Sequence, residues 1–224
     1  MAIGDHLRDV MDLYGSPKCP HTNAVLITAG EKGVDINSHV EDDWGPSSSI
    51  RSMSPLGIGP VLKDRTAVNV GLVACISYLD DKGFGPSLVH RNGVTRARMF
   101  QEITIAQQTD CSDDASLAAA LDQLEATLNS PLGNMKGDYC VGQHTLADCA
   151  WAGVCQVATN MGKGTAVSSR SAVNTWFAAV QTHPSTSKEA INPFSCLATK
   201  ADHDANAMRC LLYTSPSPRD ATLS

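Results

Sequence analysis

The stretch Leu13-Tyr-Gly-Ser-Pro-Lys-Cys-Pro20 decides how this chain is read. Asp12 to Gly15 reads as a short strand that Gly-Ser-Pro interrupts. The apolar run Asn23-Ala-Val-Leu-Ile-Thr-Ala-Gly30 then reads as a helix, with Gly33 as its stop. Cys19 therefore stands at a strand-to-helix junction. A thiol there meets the positive end of the helix dipole and backbone N–H groups without helical partners. Both favour thiolate and lower the thiol pKa from about 8.5. Lys18 adds a positive charge, and a protonated His21 would add another. Thr22 occupies the place of a second, resolving cysteine, so monothiol chemistry is expected at Cys19. Ser16 is the weaker candidate, a hydroxyl in the same turn.

Outward from this point, strands and helices alternate. Val34 to Val40 suits a second strand, Gly45 to Ser54 a loop, Pro60 to Asp64 a third strand and Thr66 to Val70 a fourth. Gly71 to Lys82 is an apolar helix. This order argues for an α/β layer over residues 11–85. Pro86 to Gly93 reads as a linker, and residues 94–207 as a helical domain. Val94 to Thr109 is one helix. Leu117, Leu121, Leu124 and Leu128 form one apolar stripe along residues 115–129. Leu146 to Met161 is apolar all round and so is expected to be buried; Ser171 to Gln181 stops at His183-Pro184. Thr145-Leu-Ala-Asp148 has the spacing of a capping box, and Asp148→Ala should cost about 1 kcal/mol or more.

Composition narrows the function. With 224 residues, 42% hydrophobic and 18% charged, the chain suits one large or two small globular domains. The net charge of −6 comes without any basic run, which disfavours nucleic acid. No apolar stretch reaches the roughly 18 residues of a membrane span. The N-terminus lacks the apolar core of a signal peptide. Eight cysteines include no Cys-x2-Cys pair, so reduced thiols in the cytoplasm are expected, with no zinc ribbon. The histidines lack metal spacing, and no metal is expected. Cys75, Cys149 and Cys155 read as inert core thiols and Cys140 has no evident role. Trp151, Trp176 and Phe177 read as core, and Glu41-Asp42-Asp43 as a solvated run. Residues 210–224, from Cys210-Leu-Leu-Tyr-Thr-Ser onward, read as translated sequencing-library adapter rather than native protein.

The order of these pieces resembles the cytosolic glutathione transferases: a thioredoxin-like domain followed by an all-α domain. The matching stretches are residues 13–20, Glu31-Lys-Gly-Val-Asp35, Ser54-Pro-Leu-Gly-Ile-Gly-Pro-Val-Leu-Lys-Asp64 and Ile76-Ser-Tyr-Leu-Asp-Asp-Lys82. In the second half they are Leu121 to Leu128, Tyr139-Cys-Val-Gly-Gln-His-Thr-Leu-Ala-Asp148 and Trp176 to Pro184. The Cys19-Pro20 pair is similar to the omega-like, cysteine-type members. The resemblance implies a cis peptide at Pro60, with the Gly59 backbone pairing with the cysteinyl part of glutathione. It also implies a γ-glutamyl site at Gly71 and Leu72. There the family has Glu-Ser, so two polar anchors are replaced and only backbone N–H groups remain.

Two functions follow. One is a glutathione-dependent transferase or thiol-transferase with Cys19 as monothiol nucleophile, glutathione as co-substrate and a homodimeric assembly. The other is a non-catalytic scaffold. The second half also resembles the transferase-like part of the translation elongation factor 1 gamma subunit, and the Gly71-Leu72 departure points the same way.

Overall fold

The computed structural model describes residues 10–41, 48–129 and 138–182. Strand β1 (Met11–Gly15) leads into helix α1 (Pro20–Glu31), then β2 (Ile36–Val40) and a short helix α2 (Ser49–Met53). Strands β3 (Val61–Asp64) and β4 (Ala67–Val70) precede α3 (Leu72–Lys82). The remaining elements are α4 (Gly93–Gln108), α5 (Asp114–Asn129), α6 (Leu146–Ala158), α7 (Gly164–Ser168) and α8 (Ser171–Gln181). The four strands form one mixed sheet in the order β2-β1-β3-β4, with β1 parallel to β2 and antiparallel to β3. A thioredoxin-like layer followed by an all-helical half is the expected architecture.

Helix α1 explains how the halves join. Every residue from Pro20 to Ala29 is buried, because α1 packs against α3 on one side and α6 on the other. That is why its sequence is apolar without a polar face. Gly153 of α6 permits the approach: a Cβ there would collide with the Pro20 carbonyl oxygen and fall 2.9 Å from the Ala24 nitrogen. One core runs from Leu13 and Leu62 of the sheet through Ile76 to Trp151 and Trp176. Leu117, Leu121 and Leu124 are buried and Leu128 packs against them, as the stripe requires.

Asp148 does more than close a capping box. It is fully buried and accepts from the Thr145 N–H at 2.8 Å and the Thr145 hydroxyl at 3.0 Å. It also accepts from the Cys140 N–H at 3.0 Å and the Trp176 indole at 2.9 Å, so α6, α8 and the preceding loop meet on one carboxylate. Cys140 thereby gains a role through its backbone.

The fold corrects several expectations. Residues 49–53 of the expected loop are helical. Their first N–H groups are satisfied by Glu41, which accepts from the Ser49 N–H at 3.1 Å, and Ser48 accepts from the Arg51 N–H. Glu41 is thus a capping group rather than part of a solvated run; Asp42 and Asp43 lie outside the described residues. Helix α6 ends at Ala158, and a wide turn over Thr159–Lys163, with Gly162 at φ 79°, leads to α7. The expected linker, Pro86 to Gly93, is tied at its start to the first half of the chain. Asp80 accepts from the Ser87 hydroxyl and the Leu88 N–H, both at 2.7 Å, and forms a buried ion pair with Lys32 at 3.0 Å. The stop at His183-Pro184, residues 183–207 of the helical domain and the tail from Cys210 lie outside the described residues.

Candidate functional site

The strand register assembles the site. Tyr14 pairs with Val61, and Val61 with Val70. The residues just beyond these pairs therefore share one end of the sheet: Ser16 to Cys19 after β1, Gly59-Pro60 before β3 and Gly71-Leu72 after β4. The Gly59–Pro60 peptide is cis, as expected. The Pro60 carbonyl accepts from the Gly71 N–H at 2.8 Å and from the Cys75 thiol at 3.6 Å, fixing the start of α3 to the turn. Gly71 has φ 84°, in the left-handed region, and an added Cβ would press 3.4 Å from Ile58 Cγ2. A side chain at 71 is thus resisted by the local backbone. Leu72 is buried, whereas Val73 and Ala74 in the first turn of α3 are exposed.

The β1–α1 turn is tightly held. The Cys19 N–H donates to the Ser16 carbonyl at 3.0 Å, and the Lys18 N–H to the Ser16 hydroxyl at 3.2 Å. The Asn23 amide donates to the carbonyls of Pro17 at 2.8 Å and Cys19 at 2.9 Å. Sequence reasoning missed Asn23; its signal was a polar residue opening an otherwise apolar helical run. Cys19 caps α1 with extended backbone, as the strand-to-helix junction predicts. Cys19 has 0% exposure and Ser16 only 4%, so both candidate nucleophiles are buried.

Cys19 has a partner that sequence spacing only hinted at. His21 is 8% exposed, and its Nε2 lies 3.0 Å from the Gln107 carbonyl of α4. A carbonyl only accepts, so Nε2 carries the proton and Nδ1 is left for Cys19. Burial alone would lower the His21 pKa. The charge and hydrogen bond of the Cys19 sulfur, with the Gln107 carbonyl, outweigh burial and raise it. Thiol with imidazole and thiolate with imidazolium are the two states of this pair. Cys75, by contrast, has its thiol pushed up to about 12 by burial, and Cys155 and Cys149 are likewise raised; these are the inert core thiols expected. Among the described residues, no cluster of His, Cys, Asp or Glu could hold a metal ion, and no helix is long and apolar enough to cross a membrane.

No protein-family model matches the chain. It is similar to a stringent starvation protein A homolog of Coxiella burnetii (strain RSA 493 / Nine Mile phase I), at 32% identity over 91 residues, 41% of this chain and 44% of that protein. A second such homolog, of Pasteurella multocida (strain Pm70), is 26% identical over 159 residues, 66% of this chain and 75% of that protein. The chain thus spans less than half of the first relative and three quarters of the second. Among solved structures it is similar to glutathione transferase F7 from Populus trichocarpa, with TM-score 0.64 and 20% identity over 81% of this chain and 99% of that one. FzlA from C. crescentus gives TM-score 0.68 and 19% identity over 87% and 97%. A glutathione S-transferase from Methylobacillus flagellatus KT with glutathione bound gives 0.66 and 18% over 79% and 97%. The chain has the glutathione transferase fold, a thioredoxin-like domain joined to an all-α domain.

Proposed function

We propose that this chain is a glutathione-dependent transferase or thiol-transferase, with Cys19 as its single nucleophile. The observation that supports this best is the Cys19–His21 pair at the tip of α1, at the same sheet end as the Gly59-Pro60 turn. Strand β3 begins at Val61, so the Gly59 backbone is left to pair with the cysteinyl part of glutathione as an added strand would. The start of α3 after Gly71, where Leu72 is buried but Val73 and Ala74 are exposed, would offer backbone N–H groups of its first turn to the γ-glutamyl carboxylate. Cys19 then attacks a glutathione mixed disulfide, takes the glutathionyl group and is released by a second glutathione. Because Cys19 is buried, its surroundings must open before it can react. A homodimer in the cytoplasm belongs to the same proposal, and sedimentation velocity tests the dimer.

The zero exposure of Cys19 and the loss of polar anchors at Gly71-Leu72 favour a second reading, a non-catalytic scaffold with a closed pocket. Glutathione-disulfide exchange, measured beside calorimetric titration with glutathione, separates the two. The transferase reading expects binding, and exchange that Cys19→Ala abolishes. Wild-type protein that neither binds glutathione nor exchanges would leave the scaffold reading standing.

A further inference from the structure

A second thiol converges on Cys19 from the helical half. Cys111 lies between α4 and α5, and three contacts bring it to the tip of α1. His21 reaches the Gln107 carbonyl, four residues before Cys111 and at the end of α4. Pro20, adjacent to Cys19, packs its carbonyl against Gly153 of α6. The next residue on α6, Val154, accepts from the Cys111 thiol at 3.9 Å. Thr22, in the position of a local resolving cysteine, has no sulfur, and its buried hydroxyl has no hydrogen-bond partner among the described residues.

We propose that Cys111 is the resolving thiol of this site and closes a Cys19–Cys111 disulfide between the two halves of the molecule. The inference rests on the reading of Cys19 as the nucleophile toward glutathione. Glutathione disulfide is the oxidant. The Cys19 thiolate attacks one of its sulfurs, the S–S bond breaks, and one glutathione leaves as thiolate and takes up a proton. Cys111 then gives up its proton and attacks the Cys19 sulfur. The bond to the glutathionyl group breaks and the second glutathione leaves with that proton. Two protein thiols are oxidised and one glutathione disulfide is reduced to two glutathiones.

Electrostatics bear on the second of these steps. Burial first, then the charges of Asp110 and Cys19, push the Cys111 thiol up to about 12, while Lys163 pulls the other way. The Lys163 ammonium is fixed on the Cys111 and Ser112 carbonyls at 2.8 and 2.7 Å. Capping Cys19 with a glutathionyl group removes the negative charge beside Cys111. Burial, the largest cause, remains after that capping, so the change favours the Cys111 thiolate without making it an ordinary thiol.

The test treats the full chain with glutathione disulfide, quenches in acid, and follows intact mass and alkylated-peptide maps. Wild type should lose two thiols without a lasting adduct and yield a cross-linked peptide joining residues 19 and 111. Cys111→Ser should hold one glutathionyl group on Cys19, its lifetime lengthened at least about tenfold, until glutathione is added. An adduct equally persistent in both proteins, or a disulfide to Cys155 instead, would overturn the role of Cys111 and leave Cys19 as a monothiol nucleophile. No adduct and no thiol loss in either protein would overturn the Cys19 reading itself. Should Cys111→Ser fail to fold, the wild-type peptide map decides alone.

Discussion

Helix α1 has a cysteine–histidine pair at each end, and the two ends are built for different work. At the N-terminus, Cys19 faces His21, whose far nitrogen is held by the Gln107 carbonyl, a neutral acceptor. At the C-terminus, Cys149 of α6 faces His144, whose Nε2 lies 3.5 Å from the Glu31 carboxylate. Burial works against charge on His144. Hydrogen bonds to Cys149 and Glu31 overcome it and push the pKa up to about 11. Cys149 first and the Glu31 carboxylate second thus favour a charged His144 imidazole, while burial raises the Cys149 thiol. With only a carbonyl behind it, His21 depends on the Cys19 sulfur for its charge, so the proton of that pair can move. The two ends differ in the oxygen behind each imidazole, a carboxylate that ties His144 down as a strut and a carbonyl that leaves His21 dependent on Cys19.

If the C-terminal end is the strut, damage there should be costly. Next to Glu31, buried Lys32 pairs with Asp80 and donates to the Pro86 carbonyl at 2.9 Å. Asp80→Ala would leave that ammonium without its counter-charge and release the Ser87 and Leu88 contacts. The expected loss is about 3–5 kcal/mol in urea unfolding. A loss below about 1 kcal/mol would mean that water replaces the pair. The Glu31–His144 contact should cost less, about 2–3 kcal/mol for Glu31→Gln. It also has a pH signature. The folded pKa of His144 is about 11 and the unfolded value about 6.5, so this stability is fully present below pH 6.5 and is lost as pH rises through 11. Melting temperatures across that window should fall more steeply for wild type than for Glu31→Gln. Parallel curves would show that the carboxylate does not hold the proton.

The difference between the ends also marks what could be read from the sequence. The strand–turn–helix order and the position of Cys19 were legible, because each rests on local chemistry over a few residues; the cis-proline turn was expected only through the resemblance to the transferases. The His21–Gln107 contact, the Lys32–Asp80 pair and the Glu31–His144 pair were not. Their partners lie 86, 48 and 113 positions apart along the chain, and only the packing of α1 between α3 and α6 brings them together. The burial of Cys19 escaped too, since exposure is set by the packing of the whole fold and not by neighbouring residues. Asp148 was half legible: its spacing gave the box, but nothing local foretold that Cys140 and Trp176 donate to the same carboxylate.

At the N-terminal end the expected stability effects shrink to about 1 kcal/mol while reactivity changes most, and two substitutions pull the contributions apart. Asn23→Ala removes the amide that ties Pro17 and Cys19, at a cost of about 1–2 kcal/mol for two hydrogen bonds. It should loosen the turn and raise the alkylation rate of Cys19 by a similar factor at every pH. His21→Phe keeps the bulk but removes the imidazole, at about 1 kcal/mol, leaving the Gln107 carbonyl without its donor. There the midpoint of the alkylation–pH profile should move upward, because the thiolate loses its imidazolium; each pH unit of movement equals about 1.4 kcal/mol of lost pairing. An unmoved midpoint would make His21 a packing residue that happens to touch sulfur. The two ends of α1 would then differ only in how tightly each is tied down.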